Sequence, residues 1–412
     1  MGIARLTICG AIALMLQTAA PPQTTFRSGT ALVEVDVIAL DKQGNFVPGL
    51  HITDLELLED GKRQKIQQFF MVTHLGSTKN TVSQFASETD HGARRVFIML
   101  FDEGHLANDS LARVKRGAEE FIRDQMGPED VGGVFVGGGM FRGRLTTDKG
   151  ELLAGVRAVK PAFDNRQGLL APFREFPRIP SEHDAARIAD GARELVNEIG
   201  VKACVDDPID CQTAGGLQQV ENLIQQKARL YIRQARTLAS STVRNLQTVA
   251  TGLSRIPGRK TVMFMTEGFF SEDSRSALEK VAAQAARGGT TVYTIDGRGL
   301  IGGTSLNPDA VSTTRARSTA FDTGDDGPNI LTAGTGGFMV RNIDDMSRAF
   351  GLIVRDTSTY YVIGYQPDNS TMDGKFRRIE VKSKVAGMKL RARKGYAAVA
   401  LPPQEMLWTV NK

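Results

Sequence analysis

The chain contains few of the residue types and motifs that usually carry catalysis. Its 412 residues include three cysteines, one tryptophan and five histidines. It has no Gly-x-Ser-x-Gly, His-Glu-x-x-His or phosphate-loop sequence, which argues against the best-marked serine hydrolases, zinc proteases and nucleotide hydrolases. In "VFVGGGMFRG", Arg142 stands where a dinucleotide-binding fingerprint requires its third glycine. We therefore find no catalytic constellation in the sequence.

Charge of either sign is not in large excess. The 51 Lys and Arg residues and the 46 Asp and Glu residues give a net charge of +5, and no dense basic run stands out. Nucleic acid is therefore not an expected partner. Apolar residues make up 41% and charged residues 24% of the chain, which is ordinary for a globular protein. The length suits two domains, one of them large.

The N-terminus has the layout of a secretory signal peptide, which we assign to residues 1–20. "MGIAR" is a short positive start, "LTICGAIALML" a brief apolar core, and "QTAAPPQ" a small-residue exit. The apolar core is too short to span a bilayer, and no other stretch is long enough. We expect an exported protein, periplasmic or extracellular, with no transmembrane segment after removal of the signal.

Two cysteines, Cys204 and Cys211, remain after residues 1–20. They lie seven positions apart in "KACVDDPIDCQ" and can close a small loop in an oxidising compartment. A metal-binding pair is the alternative, but no histidine is near and the spacing is wrong for such a site. We predict a structural disulfide.

Both ends of the chain carry strand patterns. Residues 33–37 alternate between apolar and polar, and "LEDGKRQ" has the Asp-Gly signature of a hairpin. Three further short strands end the chain, and we predict that residues 28–75 and 356–398 together form a small β-sandwich. Basic side chains of the last strands should form its solvated face, with a patch for an anionic polymer as the alternative; they are Arg377, Arg378, Lys382, Lys384, Arg391 and Arg393.

The middle of the chain has a different pattern. Nearly pure apolar runs alternate with amphipathic helical stretches, and the runs are 95–101, 131–136, 261–265 and 291–295. This alternation predicts an α/β fold with a mostly parallel, doubly wound sheet covered on both faces. We assign residues 93–355 to this domain and expect it to be inserted into the sandwich. A helical insertion at 163–256 and a polar loop at 301–330 interrupt it.

Six segments, in order from about residue 28 to 398, resemble the von Willebrand factor A (vWA) superfamily and, more narrowly, the secreted VWFA-related acidobacterial domain family. They are "VDVIALDKQGNFVPGLHITDLELLEDGKRQKIQQF", "RVFIMLFDEGH", "GRKTVMFMTEGF", "TVYTIDGRGL", "AGTGGFMVRNIDD" and "STYYVIGYQPDN…GKFRRIEVK…RARKGY". The resemblance implies a Rossmann-like vWA domain in an extracytoplasmic setting. It implies no activity.

Asp102 follows the apolar run "VFIMLF", at the strand end where open α/β sheets usually place ligands. Metal-binding vWA domains have an Asp-x-Ser-x-Ser motif there, with a threonine from a second loop and an aspartate from a third. The resemblance places Asp102, Thr147 and Glu267 at the first, fourth and fifth of these positions. Gly104 and Leu106 occupy the serine positions and offer no side-chain oxygen.

Two interpretations of Asp102 remain open. In one, Asp102, Thr147 and Glu267 hold Mg²⁺ or another divalent cation, with waters or substitute oxygens completing the shell. In the other, which we favour, Asp102 accepts hydrogen bonds from loop amides and caps the next helix, and no cofactor is required. His105, beside this position, is interpreted as a solvent-exposed loop residue, with a role as base or ligand as the alternative.

We therefore expect an exported, non-enzymatic vWA-type binding protein of the cell envelope. It would have a degenerate metal-ion-dependent adhesion site and a protein or cell-envelope partner, and we assign no catalytic residue. The first alternative is a metal-dependent hydrolase that uses the strand-end carboxylates. The second is a purely structural envelope protein in which residues 163–256 pack on a neighbour.

Overall fold

A computed structural model describes residues 32–73, 94–162, 168, 175–212, 215–256, 258–269, 274–300, 326–399 and 409–411. The predicted signal peptide lies outside the described residues. So does the predicted loop 301–330, apart from 326–330, which begin a helix.

The strands are short and follow the apolar or alternating runs of the sequence. In chain order they are β1 (Val33–Leu40), β2 (Leu55–Glu59), β3 (Lys62–Gln64), β4 (Ile66–Thr73), β5 (Val96–Phe101), β6 (Val131–Val136), β7 (Gly139–Met140), β8 (Arg144–Thr146), β9 (Lys260–Thr266), β10 (Thr290–Asp296), β11 (Met339–Val340), β12 (Thr359–Tyr365), β13 (Phe376–Ser383), β14 (Lys389–Ala392), β15 (Gly395–Ala397) and β16 (Thr409–Asn411).

The helices lie between these strands, mainly in the middle of the chain. They are α1 (Asn108–Glu120), α2 (Lys149–Ala158), α3 (Glu182–Ala189), α4 (Arg193–Asp206), α5 (Gly216–Leu253), α6 (Arg275–Arg287), α7 (Asp326–Thr335) and α8 (Met346–Ser358). Among the described residues, no helix is both long enough and apolar enough to cross a bilayer.

The central sheet has eight strands and is mostly parallel. Its order is β11-β10-β9-β5-β6-β8-β16, with β7 paired to β6. The pairs among β6, β5, β9, β10 and β11 are parallel, whereas β8 runs antiparallel to β6. Apolar side chains of α5, α6 and α7 cover one face, and those of α1, α2 and α8 cover the other. These observations confirm the predicted α/β class and the mostly parallel sheet. Helices bury both faces of the sheet, which explains why its strands are continuous apolar runs in the sequence.

Two four-stranded antiparallel sheets come from the two ends of the chain. Their orders are β14-β1-β12-β4 and β15-β13-β2-β3. One apolar cluster joins the two sheets and includes Val35, Leu57 and Tyr361. Within it the Glu59 carboxylate accepts hydrogen bonds from two tyrosine hydroxyls, at 2.5 Å from Tyr365 and 3.0 Å from Tyr396. The described residues from Leu32 onward belong to one compact unit, so the domain bounds drawn from the sequence stay predictions.

The prediction that six basic residues of the last strands form a solvated face is wrong for three of them. Arg377 is buried and pairs with Asp373 at 2.9 Å. Arg391 is largely buried and pairs with Asp356, and Arg393 donates to backbone carbonyls. Each buried guanidinium therefore has oxygen partners, which is the condition under which a charged side chain can leave water.

Helix α5, within the predicted helical insertion 163–256, is a single helix of 38 residues. Its first half packs on α3 and α4 in an apolar cluster that includes Ile199 and Ile224. Its second half packs on the central sheet through residues such as Leu246 and Leu253. The predicted Cys204–Cys211 disulfide is present at the end of α4.

The "AGTGGF" segment shows why one glycine of this motif is required. A Cβ on Gly337 would lie 2.0 Å from the backbone oxygen of Val292 in β10, whereas a Cβ on Gly139 would meet nothing within 4 Å. We predict that Gly337→Ala lowers the free energy of unfolding by about 1–3 kcal/mol, since a backbone atom must move. Gly139→Ala is the control and should change it by less than about 0.5 kcal/mol. Chemical denaturation measures both, and equal effects would contradict the prediction.

Candidate functional site

The carboxyl ends of the central strands form the edge at which the sequence placed a ligand site. Strand β5 lies inside the sheet between β6 and β9. Asp102 follows it directly, and its backbone N–H donates to the carbonyl of Met265 in β9 at 2.9 Å. Because β5 and β9 are parallel, Thr266 and Glu267 reach the same edge as Asp102.

The Asp102 carboxylate is buried and accepts hydrogen bonds from three side chains. One oxygen, Oδ2, accepts from the Thr266 hydroxyl at 2.8 Å. The other, Oδ1, accepts from the Thr242 hydroxyl at 2.7 Å and lies 3.0 Å from Nδ1 of His105. Asp102 is only 5% exposed. A buried carboxylate is costly without such partners, and here the partners come from β9, α5 and the loop after β5.

We assign the ring proton of His105 to Nδ1, because this atom lies 3.0 Å from Oδ1 of Asp102 and a carboxylate oxygen accepts hydrogen bonds. The Thr242 oxygen, 3.2 Å from Nδ1, can accept part of the same bond while its own hydrogen goes to Asp102. The imidazole is 3% exposed and its ring lies 5.4 Å from that of Phe269. The expectation of a solvent-exposed loop histidine is therefore wrong.

The loop amides and the start of α1 have partners other than the Asp102 side chain. The N–H groups of His105 and Leu106 donate to the backbone carbonyl of Asp102, at 2.9 and 3.0 Å. The N–H of Ala107, the residue before α1, donates to Oε1 of Glu267 at 2.8 Å. The predicted cap by Asp102 is therefore incorrect, and Glu267 supplies the carboxylate near the positive end of this helix.

The structure brings Asp102 and Glu267 to one edge of the sheet but does not bring Thr147 there. In the register of the sheet, Thr146 faces Gly132, and Gly132 faces Phe97 at the amino end of β5. Asp102 lies five residues beyond Phe97, which is about 17 Å along a strand. The antiparallel direction of β8 thus places Thr147 towards the opposite edge.

Sequence reasoning missed the two threonines that do contact Asp102. Thr266 ends the apolar run of β9, immediately before the predicted ligand Glu267. Thr242 lies on the buried face of α5, three residues after Ala239 and four before Leu246. A hydroxyl at a core position of an apolar stripe was the available signal, because a buried hydroxyl needs a hydrogen-bond partner.

Acidic groups also lie around the Asp102 network. Oε2 of Glu103 accepts from the N–H of Gly137 at 3.2 Å, and burial raises the pKa of this half-buried carboxyl, with a smaller contribution from the charge of Asp102. Asp296, at the end of β10, accepts from the guanidinium of Arg298 at 2.6 Å. The charge of Asp296 is thus balanced by Arg298, whereas Glu103 is partly removed from water and has no arginine beside it among the described residues.

The donor set does not fit a six-coordinate Mg²⁺ site. Both Asp102 oxygens already accept hydrogen bonds from protein groups, and Gly104 and Leu106 supply no oxygen at the serine positions. A Cβ on Gly104 would lie 3.1 Å from the Leu238 side chain, so α5 also limits the space for a ligand there. In the part of the chain that the structure describes, no three His, Cys, Asp or Glu side chains gather as a possible metal site.

We predict that Thr242→Val lowers the free energy of unfolding by about 1–3 kcal/mol, since it removes a buried donor to a charged acceptor while keeping the side-chain shape. Thr248 is the matched control, because it is exposed on the same helix and bonds only its own turn. Thr248→Val should change stability by less than about 0.5 kcal/mol. Urea unfolding compares the two variants, and an equally small loss in both would show that the Asp102 network contributes little.

Glu103 should make the fold less stable as the pH rises. Its pKa is raised above 4.5 in the folded state, so the folded protein holds this proton more tightly than the unfolded chain does. Stability from this group is therefore full below about pH 4 and lost as the pH rises through the folded pKa. Glu103→Gln should raise Tm at pH 7 by about 1–3 °C and leave it unchanged near pH 3.5. Scanning calorimetry at both pH values checks this, with Glu120→Gln, exposed at the end of α1, as the unaffected control.

Comparison with known proteins gives no relative on which to base a function. No protein-family model matches the chain, and no curated protein sequence matches it. The functional interpretation therefore depends on the geometry of the strand-end crevice.

Proposed function

We propose that the chain is an exported, vWA-type binding protein of the cell envelope. It binds a protein or cell-envelope partner at the carboxyl edge of its central sheet, without catalysis and without a metal ion. The observation that carries the proposal is that Asp102 and Glu267 directly follow two adjacent strands, β5 and β9, at the point where the sheet changes its winding direction.

The strand order supports a Rossmann-like, vWA-type domain. Numbered by their order in the chain, β8, β6, β5, β9, β10 and β11 have the order 3-2-1-4-5-6 across the sheet. In this order the first and fourth strands are neighbours, and the chain winds outward from them in both directions. Ligands of such sheets bind beyond the carboxyl ends of these two strands, at the topological switch point. Asp102 and Glu267 follow those two strands.

Burial favours binding over catalysis at this crevice. The hydrogen-bonded side chains beneath this edge are all at most 5% exposed, so they support the edge and do not contact a partner; they are Asp102, His105, Thr242 and Thr266. The groups that reach solvent are the half-buried carboxylates of Glu103 and Glu267, and Asp109, which is exposed at the start of α1. This acidic rim suits a partner with basic side chains, because complementary charge directs encounter and register.

The disulfide supports export. Cys204 and Cys211 are bonded to each other, and structural disulfides persist mainly in extracytoplasmic compartments. Together with the predicted signal peptide, this favours the periplasm or the cell exterior.

Charge reversal at the rim tests the binding proposal. Asp109→Lys changes an exposed rim residue, and Glu120→Lys makes the same change eleven residues further along α1. The mature chain is cross-linked in isolated envelope fractions, and the captured species are compared among wild type and both variants. We expect Asp109→Lys to reduce the specific species about tenfold, as rim charges steer association, and Glu120→Lys to retain them. Capture that is indifferent to Asp109 would contradict the proposal.

Metal independence has its own measurement. Titration calorimetry of the mature chain with Mg²⁺, Mn²⁺ and Ca²⁺ should give no saturable heat, and Tm should not rise with added metal. The reason is that Thr242, Thr266 and His105 already use both oxygens of Asp102. Saturable heat that Asp102→Asn abolishes would show that the carboxylate exchanges these donors for a cation.

A hydrolase is the second candidate, and the Asp102–His105 pair is the observation in its favour. Asp102 orients the imidazole through Nδ1, which is how carboxylates position catalytic histidines. Burial of the imidazole at 3% exposure weighs against direct contact with a substrate. A panel of ester, peptide, phosphate and glycoside substrates should show no turnover by the mature chain. Turnover lost in His105→Gln would reverse this order of preference.

A further inference from the structure

A concave site lies at the amino edge of the central sheet, opposite the edge that carries Asp102. It is a small cavity, partly open to solvent, beside Val96, the first residue of β5. Its other lining residues carry guanidinium or hydroxyl groups, and they are Arg94, Arg95, Arg259, Thr261, Thr357 and Tyr360. No carboxylate is among the described residues that line it.

Arg259 has hydrogen-bonding capacity that the described chain does not use. Its side chain is 11% exposed; Nε lies beside the Asp36 carboxylate, and Nη1 is buried with no hydrogen-bond acceptor among the described residues. Nη2 donates to the Tyr293 hydroxyl at 3.3 Å. Buried donors of a charged group are costly to leave unpaired, so an anion in the cavity would supply what Arg259 lacks.

The charge of Arg259 is held in place from two sides. The Asp36 carboxylate lies 3.2 Å from Nε as an ion pair, and that carboxylate is itself 29% exposed. The guanidinium carbon lies 4.1 Å from the centre of the Tyr360 ring, a cation–π arrangement. These contacts orient the guanidinium without filling its Nη1 position.

The two neighbouring arginines differ in how firmly they are engaged. Arg95 is fixed by two hydrogen bonds to Asp130, at 2.8 and 2.5 Å. Among the described residues, Arg94 has an ion pair with Glu129, at 3.4 Å, and the Glu129 side chain is 77% exposed. A surface pair of this kind contributes little to stability, so Arg94 can turn towards an anion at small cost.

We propose that this cavity binds a phosphate-type oxyanion, either the free ion or the terminal phosphate group of a larger ligand. Arg259 would donate from its buried guanidinium and Arg94 from the open side. The planar guanidinium offers paired N–H donors that match two oxygens of a phosphate. The hydroxyl of Thr261, which also lines the cavity, provides a further polar contact for a remaining oxygen.

Inorganic phosphate is the probe that tests this site. Its affinity for the mature chain is measured by calorimetry and by the rise in Tm, with KCl replacing phosphate at equal ionic strength. We expect saturable binding to wild type and about tenfold weaker binding to Arg94→Ala, which loses a charged donor. Arg123→Ala is the control, because Arg123 is similarly exposed and pairs with one carboxylate, that of Glu119. It should bind phosphate as wild type does.

A second variant and a second probe sharpen the result. Arg259→Lys keeps the charge but loses the planar donors, and it should abolish phosphate binding while its circular dichroism spectrum stays that of wild type. Methyl phosphate tests the source of the ligand: equal binding indicates a terminal phosphate group, and binding of inorganic phosphate alone indicates the free ion. The proposal is overturned if KCl reproduces the Tm rise, or if Arg94→Ala and Arg123→Ala bind phosphate equally.

Discussion

The arrangement of the carboxyl-edge crevice depends on one buried carboxylate. Asp102 joins the end of β5 to β9 through Thr266, to α5 through Thr242, and to its own loop through His105. A buried carboxyl group requires hydrogen-bond partners for both of its oxygens, so moving these segments apart would leave buried polar atoms unpaired. The loop backbone is fixed at the same residue, because the Asp102 carbonyl accepts from His105 and Leu106. One residue thus sets the position of the rim that surrounds it.

Helix α5 connects the helical segment to this crevice. Its first half packs with α3 and α4, and its second half covers the sheet and delivers Thr242 to Asp102. A helix of 38 residues extends about 57 Å, which is long enough to take part in both clusters. The predicted insertion at 163–256 therefore contributes a hydrogen-bond donor to the Asp102 site. The sequence analysis had treated the insertion and the site as separate features.

The sequence predicted the strands that are buried on both faces. It did not predict which side chains meet, because that depends on strand direction, on strand register and on which face of a helix a residue occupies. Continuous apolar runs predicted β5, β6, β9 and β10 because a strand buried on both faces leaves such a run. Local spacing predicted the Cys204–Cys211 bond. By contrast, the threonine nearest Asp102 depends on the antiparallel direction of β8 and on the face of α5. These properties placed Thr242 beside Asp102 and Thr147 elsewhere. Likewise, residue type alone assigned Arg377 to the solvated face, whereas Arg377 shares the buried face of β13 with Ile379 and pairs there with Asp373.

The two edges of the central sheet differ in whether their charged groups are satisfied by the chain itself. At the carboxyl edge, hydroxyl and imidazole hydrogens occupy both oxygens of Asp102, so a cation there would have to displace protein donors. At the amino edge, Arg259 keeps a buried Nη1 for which the described chain supplies no acceptor. A ligand gains most binding free energy where it meets polar groups that folding has already removed from water and left without a partner. The cost of desolvating those groups belongs to folding and does not reduce the affinity. By this criterion the acidic carboxyl edge is the better place for surface contacts, and the arginine cavity is the better place for a small ion.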